Sequence, residues 1–310
     1  MSMIGKTNLS GNKVKINNVK VVKKTELIYG GEKINRYENR YDLWSNGNPA
    51  LPYSFYNGSA VAYNNELHIL GSYDSRTSHY KLNGSNWTSV STLPYSFYGG
   101  GAVVYNNEIH ILGGYEKKTG HYKWNGSSWT SVSTIPYEFF YGGAVVYNNE
   151  IHILGSDSNN TTKHYKWNGS SWTSVSTLPY SFSKRSAVVY NNEIHILGGS
   201  DSSSYTKHYK WNGSSWTSVS TIPFEFHNGV AAVLDGSIHI LCDHENKKST
   251  YQLHWNGSEW INDKYMAYTY SGSCLVVCND DMHLLSSSNS RRQHWATRHK
   301  VCKVVYRVTE

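Results

Sequence analysis

Short hydrophobic segments separated by polar turn residues recur along most of the chain. Residues 102–105 are mostly small or β-branched and end at the dipeptide Asn106-Asn107, and a second segment follows at 108–112. Asparagine tolerates the positive φ angles of a two-residue hairpin turn, so both segments are predicted strands. Two further strands are predicted at 121–124 and 129–132, on either side of an Asn-Gly turn. The pattern therefore predicts a unit of four short antiparallel strands.

This unit is repeated with a period of 42 to 44 residues. Copies of the segment 102–114 begin at residues 60, 144 and 187, a looser copy begins at 231 and a degenerate one at 274. A further copy aligns without a gap at 19–31, which makes seven units. Four antiparallel strands in a repeat of this length are typical of a propeller blade, which must stack on its neighbours to cover its apolar faces. We therefore expect an all-β protein whose repeats close around an axis.

The chain resembles the kelch-repeat β-propellers from about Val19 to Val308. The glycine pair of that family stands at 30–31, 113–114 and 198–199. A Tyr and a Trp separated by six residues recur as Tyr37/Trp44, Tyr80/Trp87, Tyr122/Trp129, Tyr165/Trp172 and Tyr209/Trp216. We expect a kelch-type β-propeller of seven four-stranded blades in one domain over 19–308, preceded by a basic tail over 1–18. The alternative is six blades, with one end of the chain supplying strands to the blade of the other end.

Composition and charge narrow the class of protein further. The chain has 26 Tyr, 11 Trp and 7 Phe but only 16% charged residues, which excludes a mostly disordered chain. The net charge of +7 resides at the ends, because residues 1–50 carry nine Lys/Arg against four Asp/Glu and residues 287–310 carry six against one. We therefore expect no nucleic-acid partner. No apolar run approaches the roughly 18 residues that span a bilayer, so no membrane span is expected.

The positions that change between the repeated units differ from those that stay the same, which distinguishes structural turns from variable surface loops. The turns barely change between copies, whereas the segments after the glycine pair change most, as at 73–78, 115–120 and 157–162. In an up-and-down blade, this second-to-third loop lies at the same end as the connection to the next blade, which is rich in aromatic residues. The variable loops and aromatic connections are therefore predicted to share one face, on which the kelch resemblance places partner binding.

The residue four before the first-strand alanine is predicted to lie near the inner rim of that face. These positions hold Tyr56, Tyr98, Phe140, Ser183, His227 and Tyr270. The kelch family often has arginine there, so aromatic residues put acidic-peptide recognition in doubt and suit sugars or adaptable protein contacts. The alternative is that the rings only pack between blades. The candidate ligand site comprises Tyr56, Tyr98, Phe140, Tyr141, His227, Tyr270 and the pair Lys184 and Arg185, which orients an anionic group or is merely solvated.

The sequence offers no candidate residues for a metal, a cofactor or catalysis. Equivalent histidines of different blades radiate from an axis and do not converge on one ion, so we expect packing against the neighbouring blade for His68, His110, His152, His195, His239 and His283. A second set is expected on strand surfaces: His79, His121, His164 and His208. No paired carboxylates recur at one loop position for acid–base catalysis. The Asn-Gly-Ser sequons suit turns better than glycosylation.

These observations favour a non-catalytic recognition module that binds a glycan or a protein through the aromatic, variable-loop face. The opening residues 4–10 and the lysine-rich stretch 13–24 resemble bacteriophage tail or prophage-encoded proteins of Gram-positive gut bacteria, which implies host recognition. No export signal is visible, so we expect a cytoplasmic or phage-particle location. Two alternatives stay open: a small saccharide-active enzyme of the mutarotase or lyase type, and a cytosolic protein-interaction scaffold.

Overall fold

The structure is a computed structural model of the chain. It describes residues 48–156, 159, 161–183, 186–199, 202–226, 229–243, 250–266, 272–288 and 291–297, together with strands at 8–9, 14–15, 27–29, 32–37, 44–45 and 305–308. The chain divides into two compact units, one of Met1–Trp44 with Arg298–Glu310 and one of Ser45–Thr297. The sequence did not indicate a division at these points, and the domain boundaries at 18/19 and 308 stay a prediction.

The smaller unit contains one five-stranded sheet. In sheet order its strands are β1 (Asn8–Leu9), β2 (Val14–Lys15), β29 (Val305–Val308), β4 (Glu32–Tyr37) and β3 (Leu27–Tyr29). The C-terminal strand β29 pairs antiparallel with both β2 and β4. The N-terminal and C-terminal segments therefore form a common sheet.

The larger unit is built from four-stranded antiparallel sheets. Five sheets consist of four consecutive strands each, and the first two are β6 (Ser59–Tyr63), β7 (Glu66–Leu70), β8 (Ser78–Asn83) and β9 (Asn86–Thr92), then β10 (Gly101–Tyr105), β11 (Glu108–Leu112), β12 (His121–Trp124) and β13 (Trp129–Ser131). The third and fourth sheets are β14 (Gly143–Tyr147), β15 (Glu150–Leu154), β16 (His164–Trp167) and β17 (Trp172–Ser174), then β18 (Ser186–Tyr190), β19 (Glu193–Leu197), β20 (His208–Trp211) and β21 (Trp216–Ser218). The fifth sheet is β22 (Val230–Leu234), β23 (Ser237–Asp243), β24 (Thr250–Trp255) and β25 (Trp260–Met266). A sixth sheet has the order β26 (Cys274–Cys278), β27 (Asp281–Ser288), β28 (Arg291–Thr297) and β5 (Trp44–Ser45).

Each blade folds as its hydrophobic pattern predicts. Asn106 and Asn107 form the turn between β10 and β11 with φ angles of 48° and 58°, in the left-handed region that such a turn requires. Alternate residues of β10 are buried, as expected of a strand whose two faces differ. The four strands predicted in the unit that begins at 102 are confirmed, although the fourth ends at Ser131.

The sheets of the larger unit close into a ring. The first strands of consecutive sheets lie side by side, from β6 through β10, β14, β18 and β22 to β26, and β26 lies beside β6. At this closure the backbone N–H of Asn57 donates to the carbonyl oxygen of Gly272 at 2.9 Å, and the rings of Trp87 and His294 are 5.6 Å apart. A closed ring of four-stranded antiparallel blades is a β-propeller.

The predicted number of seven blades is wrong. Five blades, rather than seven or six, are made entirely of consecutive strands, and one further sheet combines β26, β27 and β28 with β5. The N-terminal copy at 19–31 does not begin a blade of its own, because β3 pairs with β4 and β4 continues to β29 in the smaller unit. The second strand of that copy is confirmed at Leu27–Tyr29, whereas its first strand lies outside the described residues.

Aromatic residues of the connections form the deepest part of the core. Phe97 and its equivalents are fully buried: Phe55, Phe139, Phe182 and Phe226. Tyr95 donates its hydroxyl to the carbonyl oxygen of Gly113 at 2.6 Å, and burial raises the pKa of Tyr95. Gly113 has a φ of 60°, and a Cβ there would lie 2.0 Å from the carbonyl oxygen of Phe139, so no larger residue fits. These repeated Tyr, Phe and Gly residues therefore hold the blades together.

A pair of histidines joins the second and third strands of five sheets, and both histidines are buried in four of these pairs. Nδ1 of the first histidine and Nε2 of the second are 2.7 to 2.9 Å apart in His68–His79, His110–His121, His152–His164, His195–His208 and His283–His294. We call these the histidine pairs. Burial lowers the pKa of His110 to about 4 and that of His121 to about 3, because the charged imidazolium loses its hydration.

The histidine pairs belong to the layer between neighbouring blades. The rings of His68 and His79 lie 5.6 and 4.9 Å from the ring of Trp124 in the next blade. Packing against the neighbouring blade, predicted for the second-strand histidines, is confirmed for His68. The prediction that the third-strand histidines lie on strand surfaces is wrong, because His79, His121, His164 and His208 are buried.

Four of the Asn-Gly-Ser sequences form the same kind of turn, in agreement with the turn prediction. The side-chain Oδ1 of Asn125 accepts hydrogen bonds from the backbone N–H groups of Ser127 and Ser128, at 2.9 and 3.0 Å. The same turn recurs at Asn168, Asn212 and Asn256. Within the residues that the structure describes, no helix is long and apolar enough to cross a membrane.

Candidate functional site

A recess of about 610 Å³ lies between the loops of neighbouring blades. Its walls come from two second-to-third loops, β7–β8 and β11–β12, and from the three connections that lead into β6, β10 and β14. We call it the aromatic recess. Its lining residues are Tyr56, Asn57, Tyr73, Arg76, Tyr98, Tyr115, Glu116, Phe140 and Tyr141.

Backbone hydrogen bonds attach each loop to the connection beside it. The N–H of Tyr73 donates to the carbonyl oxygen of Tyr56 at 2.9 Å, and the N–H of Tyr115 donates to that of Tyr98 at 3.0 Å. The predicted common face of variable loops and aromatic connections is therefore confirmed for these two blades. The same contacts hold the loop tyrosines next to those of the connections.

A chain of backbone hydrogen bonds fixes the inner rim of the recess. The backbone N–H of Asn57 donates to the carbonyl oxygen of Gly272 at 2.9 Å. The N–H of Gly99 donates to the carbonyl oxygen of Asn57 at 2.8 Å, and the N–H of Tyr141 donates to that of Gly99 at 2.6 Å. Asn57 and Tyr141 have φ angles of 56°, which a tyrosine rarely adopts unless its surroundings impose it. The side-chain Nδ2 of Asn57 also donates to the hydroxyl of Tyr141 at 2.8 Å. The position of Tyr141 is therefore set by both backbone and side-chain contacts.

The lining rings form a continuous aromatic surface. The ring of Tyr98 stacks on that of Tyr115 at 5.1 Å, and Tyr73 meets Tyr98 edge to face at 5.4 Å. Phe140 lies 5.3 Å from Tyr115 and 4.1 Å from Tyr141. Tyr73 and Tyr115 are 49% and 50% exposed, whereas Tyr98 is 5% exposed and acts mainly as their support. The surface thus offers several ring faces and tyrosine hydroxyls to a ligand.

One guanidinium and one carboxylate are bound to each other in the recess. Nη1 of Arg76 donates to Oε1 of Glu116 at 3.0 Å, and Nε of Arg76 donates to the carbonyl oxygen of Tyr73 at 3.0 Å. The guanidinium carbon lies over the rings of Tyr73 and Tyr98 at 5.3 and 5.2 Å, within cation–π distance. Burial raises the pKa of Tyr98, and the positive charge of Arg76 opposes this shift. The arginine is therefore held in place by four contacts.

The structure brings together four of the eight predicted site residues. Tyr56, Tyr98, Phe140 and Tyr141 all line the aromatic recess, with Tyr56 39% exposed. Lys184, Arg185, His227 and Tyr270 lie outside the described residues. Ligand binding by any of the eight stays a prediction.

The strand register corrects one positional assignment. Cys274 pairs with Leu285 as Gly101 pairs with Leu112, so Leu275 corresponds to the first-strand alanine. The residue four before it is Ser271, one later than the Tyr270 obtained by counting along the sequence. The candidate position in this unit therefore differs by one residue from the one that the sequence predicts.

Sequence reasoning did not select five residues of the recess. Asn57, Tyr73, Arg76, Tyr115 and Glu116 line it beside the predicted tyrosines. A signal was present, because the loops 73–78 and 115–120 begin with Tyr, whereas the corresponding loop of the next blade begins with Asp157. The loops were recognised as variable, but the two tyrosines were not treated as a pair that neighbouring blades bring together.

The recess contains little of the chemistry that metal binding or catalysis requires. Glu116 is the single carboxylate among the lining residues, and its Oε1 is bound to Arg76. Among the described side chains, no group of three or more His, Cys, Asp or Glu is placed to hold a metal ion. The lining residues thus offer a ligand aromatic rings, tyrosine hydroxyls, one amide and one ion pair.

The fold and recess define a β-propeller with an aromatic ligand-sized depression at its loop face. A solved structure titled "Structure of YjhT" shares this fold with a TM-score of 0.69 and 12% sequence identity, covering 85% of this chain and 99% of that one. At this identity the likeness shows the fold alone. No family model matches the chain, and no curated protein matches it.

Proposed function

We propose that the chain is a non-catalytic recognition module that binds glycans through the aromatic recess. The observation that carries the proposal is the cluster of part-exposed tyrosines in a recess of about 610 Å³. This volume lies within the range of about 300–1,000 Å³ typical of small-ligand sites. Sugars present apolar C–H faces that stack on aromatic rings and hydroxyls that exchange hydrogen bonds with tyrosine.

The size of the recess favours the end of a glycan over a protein surface. A stable protein interface buries about 800 Å² on each partner and needs a broad complementary surface. The most exposed tyrosines, Tyr56, Tyr73 and Tyr115, instead line one depression bounded by three connections and two loops. A protein ligand would therefore have to insert a short segment into the recess.

The repeat pattern supports placing the chain among the kelch propellers, and its opening residues support a role in host recognition by a phage or prophage tail. Both are part of the proposal. In that setting the ligand is a glycan of the bacterial surface, and the recess faces it. A host-cell binding assay with the purified chain tests this part of the proposal separately from the ligand chemistry.

A glycan array probed with the wild-type chain and with two variants tests the proposed function. Tyr73→Ala and Tyr115→Ala each remove a half-exposed ring, so both should weaken array binding by about tenfold or more. Thr130→Ala, on the exposed outermost strand β13, is the matched control and should bind as the wild type does. Absence of any array binding by the folded wild-type chain, or equal binding by all variants, would overturn the proposal.

A saccharide-active enzyme is the second candidate, because Glu116 places a carboxylate within the same recess. Mutarotation is measured by NMR exchange of sugar anomers and lyase activity by the ultraviolet absorbance of the unsaturated product. Turnover by the wild-type chain that Glu116→Gln abolishes would establish this candidate. Binding without turnover of the bound sugars would leave the recognition module as the function.

A further inference from the structure

We propose that the aromatic recess selects uncharged sugar ends and rejects sugars that carry a carboxylate. The inference rests on the proposed function, because it specifies which glycans the recess binds. It follows from how Arg76 and Glu116 are held, from the charges of the lining residues and from the exposure of the rings.

Arg76 is the one cationic side chain among the lining residues, and its charge is already paired with that of Glu116. It donates to Glu116 and to the Tyr73 carbonyl oxygen, and its guanidinium carbon lies within cation–π distance of two rings. A ligand carboxylate that pairs with this guanidinium either exchanges places with Glu116 or lies beside it as a second carboxylate. The exchange replaces one ion pair with another, so it yields no net gain in charge pairing.

Glu116 remains as an obstacle to an anionic ligand. Its side chain is 44% exposed, and that of Arg76 is 40% exposed. A ligand carboxylate that entered beside the pair would meet a like charge at the mouth of a partly enclosed site. Juxtaposed like charges at an interface oppose binding and are a common source of specificity.

The remaining lining residues favour a neutral polar ligand. They are tyrosines, a phenylalanine and an asparagine, so they supply ring faces and hydrogen-bonding groups without charge. The half-exposed rings of Tyr73 and Tyr115 both contact the supporting ring of Tyr98, one edge to face and the other stacked. A pyranose end can stack on one ring while its hydroxyls reach the polar groups around it.

The test uses oligosaccharide pairs that differ at one carbon atom. Each pair ends in a hexose or in the corresponding hexuronate, so a hydroxymethyl group is exchanged for a carboxylate. Affinity is measured by calorimetry at low salt. The wild-type chain should bind the hexose end about tenfold or more tightly than the hexuronate end.

Two variants shift the preference in opposite directions. Glu116→Gln removes the repelling charge and releases Arg76, so the difference between hexose and hexuronate should shrink to about threefold or less, or reverse. Arg76→Gln leaves the carboxylate unpaired, so rejection of the hexuronate should increase. Circular dichroism and thermal unfolding of both variants establish that they are folded.

The outcomes separate this inference from the proposed function. If the wild-type chain binds the hexuronate as tightly as the hexose, or more tightly, the inference is wrong but glycan recognition stands. If Glu116→Gln leaves the preference unchanged, the pair does not determine it and the inference is also wrong. If the wild-type chain binds neither member of any pair, the proposed function itself fails.

Discussion

The layer between blades and the aromatic recess are built from similar residues but use them in opposite ways. In the layer, the histidine pairs and the tryptophans next to them are buried and repeat from blade to blade, as in His121 against Trp167 and His164 against Trp211. In the recess, Tyr73 and Tyr115 are half exposed and occur in only two neighbouring loops. Repetition therefore marks the residues that hold the ring together.

Residues that differ from one repeat to the next are the ones available to bind a ligand. Phe139 and Phe140 show this at adjacent positions. Phe139 is fully buried and has an equivalent in each of four other connections, whereas Phe140 lines the recess and corresponds to Tyr56, Tyr98 and Ser183. The two regions can be separated experimentally, because changes in one should affect stability and changes in the other should affect binding.

Acid should disrupt the layer between blades and unfold the protein. The paired histidines have pKa values of about 3 to 4 in His68, His79, His110 and His121, against 6.5 when unfolded. Above pH 6.5 these histidines are mostly uncharged in both the folded and the unfolded chain, so they leave the free energy of unfolding unchanged there. As the pH falls from 6.5 towards 4, the unfolded chain binds more protons than the folded one, and stability is lost. At one pH unit below 6.5, each such histidine lowers the free energy of unfolding by about 1.4 kcal/mol.

The combined loss from several pairs exceeds the usual free energy of unfolding of about 5–15 kcal/mol, so unfolding is expected above pH 4.5. Charged neighbours on the strands modify the shifts without reversing them: Glu108 raises and Lys123 lowers the pKa of His110. Tryptophan fluorescence during a pH titration measures the transition. A stability that stays constant between pH 7 and pH 4.5 would contradict this role of the pairs.

Truncation of adjacent phenylalanines should have unequal effects on stability. Phe139→Ala removes a fully buried ring and should cost about 3–5 kcal/mol of unfolding free energy. Phe140→Ala should cost clearly less but weaken glycan binding, because its ring borders the recess. Urea unfolding compares the two variants, and equal losses of stability would erase the distinction between the two regions.

Replacement of one histidine by glutamine should lower the acid sensitivity at a small cost in stability. The chain itself provides the model, because Gln252 pairs with Leu241 where His121 pairs with Leu112. His121→Gln removes one titrating group and should cost about 1 kcal/mol at pH 7, the value of a typical hydrogen bond. The acid-unfolding midpoint measured by fluorescence should move to lower pH, and a midpoint that moves upward would refute the explanation.

Removal of a recess ring should leave stability nearly unchanged. Tyr115 is half exposed, so Tyr115→Ala should change the unfolding free energy by less than about 1 kcal/mol while it abolishes most glycan binding. Urea unfolding and calorimetry on the same protein sample provide both values. A large loss of stability would place Tyr115 in the scaffold instead.

The sequence predicted the blades well because each blade is a local structure. The Asn106-Asn107 turn and the alternation along β10 depend on neighbouring residues, so the periodic pattern contains the necessary information. The number of blades depends on which strands pair across the ends of the chain. Strand partners that are far apart in sequence leave no local signal, so the pairing of β4 with β29 was not foreseen.

The recess was predicted in part for the same reason. Tyr56, Tyr98 and Phe140 were found because they occupy one repeated position, whereas Arg76 and Glu116 belong to different blades and meet only in the folded ring. The histidine pairs were also missed, because their partners are on adjacent strands separated by a variable loop. Register, rather than hydrophobicity, brings His110 and His121 together.

The sheet that combines β5 with β26, β27 and β28 determines when the ring can close during synthesis. Its strand β5 (Trp44–Ser45) is made early, but β26, β27 and β28 emerge only after the other blades. A nascent chain that ends before Arg291 therefore lacks the third strand of this sheet, and Trp87 lacks its contact with His294. Pairing of segments so distant in sequence is slow and leaves apolar surface exposed while it is pending. Completion of the fold therefore follows translation of almost the whole chain.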